Sequence, residues 1–203
     1  MPARLCTAIL AAAGLALSAG LAHAQGPGEV IIEIDEPVLA LGESTTVRLH
    51  AGFDSFRDYA VAGVVTSLLA DAGGRDIAGA WSDASLIAPM AGPGTSAGVP
   101  DGNGFSGIIA GQLNFPVSGG GADTSDPIAF WQATFTAPID QGFFFVDLST
   151  LTTRFDVYIE RDSSRAEARL DGLTEGAGRI SIVPAPASGL VLGLGLVAVR
   201  RRR

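Results

Sequence analysis

Thr46-Val47-Arg48-Leu49-His50-Ala51 decides the fold class: Val47, Leu49 and Ala51 alternate with polar partners, the period of two that a half-buried strand requires. Arg154-Phe155-Asp156-Val157-Tyr158-Ile159-Glu160 repeats the pattern and puts Phe155, Val157 and Ile159 on one face. In the next candidate strand Ala166, Ala168 and Leu170 alternate with Glu167 and Arg169. Further strands are expected at residues 30–34, 59–69, 105–115, 128–135, 143–148 and 178–183. Between them lie turn-forming clusters, Leu41-Gly42-Glu43, Asp71-Ala72-Gly73-Gly74, Asp140-Gln141-Gly142 and Leu170-Asp171-Gly172, where glycine adopts positive φ without steric cost. No long helical period occurs outside the two ends of the chain.

Strands at this spacing bury one face of each sheet against the other, so the expectation is an all-β, antiparallel two-sheet β-sandwich of immunoglobulin-like type, with a barrel or jelly roll as the rival. Val30-Ile31-Ile32-Glu33-Ile34, followed by Ala40-Leu41-Gly42-Glu43-Ser44-Thr45-Thr46-Val47, resembles the first two strands of cohesin-like bacterial surface sandwiches over about thirty residues. Two stretches interrupt the rhythm. Residues 88–104, rich in glycine and proline, and residues 116–127, with Gly119-Gly120-Gly121, are expected as long surface loops.

Residues 25–183 hold all twenty-one carboxylates but eight of the thirteen arginines, which leaves this part at minus thirteen with histidine neutral. The chain has no lysine, and its other arginines fall in the terminal segments. Phosphate neutralisation has nothing to work with here, so nucleic acid is excluded as a partner. The single cysteine, Cys6, lies in the first segment. Thiol chemistry and cysteine metal sites are thereby excluded from residues 25–183, and the fold must stand on core packing without disulfides.

The ends read as addresses. Residues 1–24 carry Arg4, an apolar run over residues 5–21 and then Ala22-His23-Ala24 before Gln25, the small-residue pattern at which signal peptidase cuts. Residues 184–203, with Val183 before them, comprise a proline-containing motif, Val183-Pro184-Ala185-Pro186-Ala187, a charge-free stretch over residues 189–199 and the basic tail Arg200, Arg201, Arg202 and Arg203. This tripartite end resembles the PEP-CTERM sorting signal, with alanine at position 185 where the name-giving motif has glutamate. The resemblance implies recognition by an exosortase, transient residence in the inner membrane with the domain outside, and release to the cell surface or extracellular matrix. Physically, Pro184 and Pro186 forbid a helix through the motif. Thirteen helical residues after it would span about 20 Å, short of a bilayer's roughly 30 Å hydrocarbon core. Such a stretch suits passing retention better than permanent anchoring.

Chemical motifs are few. Gly102-Asn103-Gly104-Phe105-Ser106-Gly107 matches G-x-G-x-x-G but precedes a β-like segment, so a glycine turn and not a phosphate cradle is expected. Asp101, Asn103, Asp123 and Asp126 offer the hard oxygens that calcium prefers, without EF-hand or nonapeptide spacing. No cofactor is therefore expected, and calcium is the one ion this composition leaves open. His50 lies on the outward face of its strand with Arg48, and since residues 25–183 contain no lysine, cysteine or second histidine, only glycosidase-like carboxylate pairs remain there, Asp54 with Asp58 or Asp71 with Asp76. Surface charge explains those pairs as well, and no catalytic residue is expected. Among the aromatics, Trp131 is expected in the core, Trp81 as an exposed ring able to stack on a sugar, and at least one of Phe143-Phe144-Phe145 outside the core. The functional expectation is an exported, non-enzymatic surface or extracellular-matrix protein, with extracellular polysaccharide as a candidate partner. A carbohydrate-binding or cohesin-like adhesion module is the alternative, and a glycosidase-like enzyme the third reading.

Overall fold

The computed structural model describes residues 28–113, 121–161 and 165–184. The signal-cleavage residues Ala22, Ala24 and Gln25, the motif residues Ala185, Pro186 and Ala187, and the tail Arg200 to Arg203 lie outside them. In chain order the strands are β1 (Gly28–Ile34), β2 (Val38–Ala40), β3 (Ser44–Phe53), β4 (Ala60–Asp71), β5 (Trp81–Leu86), β6 (Ser96–Asp101), β7 (Gly104–Gly111), β8 (Ile128–Thr136), β9 (Phe144–Tyr158), β10 (Ala166–Ala168) and β11 (Ala177–Val183). One 3₁₀ turn, Ala78–Ala80, precedes β5. The smaller sheet has the order β1-β3-β8-β5 and the larger β2-β11-β9-β4-β7-β6, with β10 against the far half of β9. Neighbours are antiparallel apart from β2 and β11, which run parallel with Val38 opposite Ser181. The entering chain thus divides itself between the layers, β1 in one sheet and β2 in the other.

Alternation fills the space between the layers. Val47, Leu49 and Ala51 of β3 meet Val64 and Leu68 of β4, Phe105 and Ile108 of β7, Val146 and Leu148 of β9, and Ile180 and Ile182 of β11 in a single cluster. Complete burial of each large side chain there is worth about 1.5–3 kcal/mol. A β-bulge decides the centre of this core: Leu49 faces Trp131 and His50 faces Ala129, so Phe130 is the extra residue of β8. The bulge lets both Phe130 and Trp131 turn inward, each wholly buried, with the Trp131 indole N–H donating to the Ala97 carbonyl at 2.9 Å.

The four expected turns each carry glycine at positive φ, at Gly42, Gly73 and Gly74, Gly142 and Gly172. The G-x-G-x-x-G match is the tip of the β6–β7 hairpin, where Asn103 accepts from the Ile77 amide and donates to the Arg75 carbonyl. Other expectations are corrected. Residues 143–148 and 154–160 are not two strands but parts of β9, which runs unbroken through Ser149-Thr150-Leu151-Thr152-Thr153 because these residues alternate as well. Residues 88–104 are not one loop, since β6 lies within them, and β2 and β5 are strands that patterning missed. In β10 the alternation is reversed: Ala166 and Ala168 are exposed and Glu167 is half-buried.

Hydrogen-bond register fixes which ends share a pole. Gly28 pairs with Phe53, and Ala60, which follows the short β3–β4 connection, pairs with Tyr158, so β1 begins where β9 ends. At the other pole Ser44 pairs with Thr136 and Ile182 with Phe144, so β11 ends where β9 begins. The domain therefore has an N-terminal pole and a C-terminal pole, at opposite ends of the strands.

Candidate functional site

The two sheets turn opposite kinds of surface to solvent. Outside the smaller sheet, Ser44 and Thr136 share a 2.8 Å hydroxyl contact, Thr46 lies opposite Thr134, and Arg48 lies opposite Gln132. Arg48 is paired with Asp35, whose hydrogen bond holds the guanidinium above its ordinary pKa, and His50 Nε2 lies 2.6 Å from Glu33 Oε2. Apart from Ile31, half-buried opposite His50, that face is polar and self-satisfied, as a solvated sheet face should be.

Outside the larger sheet the pattern fails. Leu151 of β9 is 54% exposed, Leu69 of β4 47%, and Ile109 of β7 38%. Leu151 lies opposite Ser67 and Leu69 opposite Ser149, which makes the two leucines diagonal neighbours across β9 and β4. Val65 faces Ile109 on the next strand, and Val99 adds a further exposed aliphatic on edge strand β6. Together they form an aliphatic band across four strands.

The band is limited at both ends. Toward the N-terminal pole, Ala122 covers Ala60, Ala62 and Tyr158 in a small second cluster. Gln112 fastens that cover: its side chain donates to the Val61 carbonyl at 2.6 Å and accepts from the Asp123 amide at 2.7 Å, while Tyr158 Oη donates to the Gln112 carbonyl. Toward the C-terminal pole stand Asp147 and Arg179, joined by two hydrogen bonds that hold the Asp147 carboxyl below, and the Arg179 guanidinium above, its ordinary pKa. Beyond them Phe143 and Phe145 stack edge to face with centroids 4.9 Å apart, and the Arg179 guanidinium lies 5.1 Å over the Phe145 ring. Phe143, Phe145 and Asp147, with Asp71 and Arg75, line a shallow hollow of about 350 Å³.

The residues singled out in the sequence are placed as follows. Trp81 is half-buried, not an exposed ring; its indole N–H donates to the Asn103 carbonyl at 2.7 Å, and its ring meets Phe105 and Phe135 edge to face. Asp58 is not surface charge: its side chain is 1% exposed and pairs with Arg169 at 3.1 Å. Asp54 accepts from the Phe56 amide, Asp71 from Gly73 and Asp76 from Ala78, so each holds its own turn. Of the proposed calcium oxygens, Asn103 serves the β6–β7 tip, Asp123 accepts from Ser125, and Asp126 accepts from the Phe53 amide at 3.1 Å. Among the described residues no three metal-ligating side chains are gathered together. Phe144 is buried while Phe143 and Phe145 on either side are exposed. Val183 ends β11, opposite Ala40, and Pro184 is the first residue beyond the sheet.

The aliphatic band was missed at the level of sequence, although a signal was present. Val64-Val65, Leu68-Leu69 and Ile108-Ile109 are apolar doublets inside otherwise alternating strands. A doublet in a strand must send one member to each face, so three of them on β4 and β7 mark an outer face that is itself apolar.

No protein-family model matches the sequence, and no curated protein matches it. Among solved structures, the seventh ScaB type I cohesin from Pseudobacteroides cellulosolvens superposes with a TM-score of 0.53 at 15% identity, over 79% of this chain and 96% of that one. The cohesin of a type I cohesin–dockerin complex from Clostridium thermocellum gives 0.48 at 10% identity, over 76% and 99%. A cohesin module of a Clostridium perfringens family 33 glycoside hydrolase gives 0.46 at 11%, over 78% and 98%. The fold is thus a cohesin-like β-sandwich, an assignment that rests on the first of these.

Proposed function

We propose that this chain is an exported, non-enzymatic adhesion or scaffolding module of the cell surface or extracellular matrix, which binds a folded protein through the outer face of its larger sheet. One observation carries the reading: the outer face of the smaller sheet is polar and internally paired, whereas that of the larger presents Leu69, Leu151, Ile109 and Val99 to water. Exposed aliphatics grouped in this way mark an interaction surface. The band is aliphatic and lies between a polar cover and an ion pair, a composition that matches the apolar centre and polar rim of a protein interface. A sugar would instead require stacking rings and unengaged polar groups within the band.

Export and sorting follow from the ends of the chain. Residues 1–24 direct secretion and are removed by signal peptidase after Ala24, which leaves three residues before β1. Residues 184–203 then hold the domain at the membrane until an exosortase reads Val183 to Ala187 and releases it.

The binding reading is tested by placing a photo-crosslinking amino acid at Leu151, and separately at Thr134 on the opposite outer face, in the native host. A discrete protein adduct from Leu151 and none from Thr134 is expected. Equal adducts from both positions, or none from Leu151, would refute it.

A further inference from the structure

The C-terminal pole carries an apolar group of its own, separate from the band. Ile139 is 77% exposed, Phe143 53%, Val38 49% and Phe145 42%. Val38 and Phe145 both lie opposite Ser181, on the two sides of β11, and Phe143 touches Phe145. Ile139 stands on the β8–β9 connection at the same pole. These residues surround the point at which β11 ends, and five residues, 184–188, lie between Val183 and the charge-free stretch 189–199. Fully extended, five residues reach about 17 Å. The headgroup layer of one leaflet is about 5–7 Å deep. A stretch seated in the bilayer therefore keeps this pole at the membrane surface.

We infer that, while the tail is in place, the C-terminal pole rests on the outer leaflet, with Ile139 and Phe143 inserted at the lipid interface and Val38 and Phe145 at its margin. This rests on the proposed membrane residence of residues 189–199. Lipid fits the chemistry of the pole. Aromatic and aliphatic tips on short loops partition into the interface. Charge does not drive the contact, because Asp71, Asp76, Asp140 and Asp147 outnumber Arg75 and Arg179 at this pole. The contact is therefore insensitive to salt on zwitterionic bilayers and weaker on anionic ones, where added salt relieves the repulsion.

The test uses residues 25–203, the chain left after removal of the signal segment, reconstituted into phosphatidylcholine vesicles containing doxyl-labelled lipid. Because the sole cysteine, Cys6, is absent from this chain, a single fluorophore can be placed at Asp140→Cys beside the apolar group, at Phe56→Cys on the N-terminal pole, or at Ala198→Cys in the tail. Expected are strong quenching at 198, clear quenching at 140 that persists at high salt, and none at 56. Adding Ile139→Ser and Phe143→Ser reduces quenching at 140 several-fold, with the far-ultraviolet spectrum unchanged, since both side chains are exposed. Quenching at 198 without quenching at 140 overturns the inference and leaves the tail reading intact. Absence of quenching at 198 overturns the tail reading, and the inference with it.

Discussion

Replacing Arg169 with methionine tests whether the ion pair at the N-terminal pole is structural. Asp58 lies in the short connection between β3 and β4, its side chain 1% exposed, and receives Arg169 Nη2 at 3.1 Å and Nε at 3.3 Å from a residue 111 positions away. Arg169→Met preserves most of the arginine stem but removes these donors from a carboxylate that water scarcely reaches. Removal of one partner from a buried pair costs about 3–5 kcal/mol. The converse substitution is milder. In Asp58→Asn the amide oxygen can still accept from Arg169, which is one-fifth exposed and retains Glu167 at 3.1 Å, so about 1–2 kcal/mol is expected. The double variant should cost less than the sum, because the two residues share one interaction. Urea unfolding followed by tryptophan fluorescence measures all three, with the fully buried Trp131 as reporter. In a domain of this size each kcal/mol also lowers the Tm by about 2–4 °C. If Arg169→Met costs no more than Asp58→Asn, and both stay below about 1 kcal/mol, the pair behaves as an exposed one, and the assignment of Asp58 to the interior is wrong.

Leu69→Lys and Leu151→Lys alter exposed side chains and should change stability by no more than about 0.5 kcal/mol, yet each should abolish the adduct formed through the larger sheet; parallel melts and crosslinking check this. Gly104→Ala should prevent folding, because a Cβ there would lie 2.0 Å from the Leu68 carbonyl oxygen, whereas Gly142→Ala, at φ +67° with open space around it, should cost only about 1–2 kcal/mol. Asp123 is held below the usual carboxylate range by the Ser125 hydroxyl and then by its amide. Its contribution is present above the unfolded value and lost as pH falls through the folded one, so Ser125→Ala should lower the Tm at neutral pH and flatten its decline on acidification. Intact-mass measurement on extracellular protein from the host should give a chain that begins at Gln25 and ends close after Pro184, while membrane fractions retain Arg203; a secreted chain still ending at Arg203 would refute processing.

The fold class was legible because alternation reports burial directly. Val47, Leu49 and Ala51 announce a half-buried strand, and their neighbours Arg48 and His50 face solvent as the period demands. The turns were legible for an equally local reason, since glycine at positive φ is nearly a property of the residue. What escaped was non-local. β2 has three residues, too few for a period, and exists because β11 lies beside it. β5 begins Trp81-Ser82-Asp83, with Asp83 at positive φ and a register shift between Ser82 and Ser85, so its alternation is broken where it should be read. Serine and aspartate after Trp81 read as a solvent-facing turn, but Asn103, twenty-two residues away, supplies the carbonyl that lets its N–H turn inward. Asp58 escaped in the same way, because its partner is remote. The candidate face lies between these cases: its doublets are local, but only the register that aligns Leu69 with Leu151 and Val65 with Ile109 makes them a surface.

The topology leaves room for the two proposed contacts to coexist. β9 rises from the C-terminal pole at Phe144, and Leu151 lies seven residues along it, about 23 Å from that pole at roughly 3.3 Å per residue. With the pole on the outer leaflet the strands stand away from the bilayer, and the aliphatic band is carried clear of a headgroup layer only about 5–7 Å deep. The band then faces sideways, open to a partner while the tail is still attached, and partner binding does not require release. Between band and pole, Asp147 and Arg179 interpose charge, so lipid and protein partner meet separate apolar surfaces on one sheet. The proposed release would change the lower surface alone: cleavage beyond Val183 would free Phe143 and Ile139 from the membrane and leave β11 with its pairing to β2 and β9, and hence the face above it, as it was.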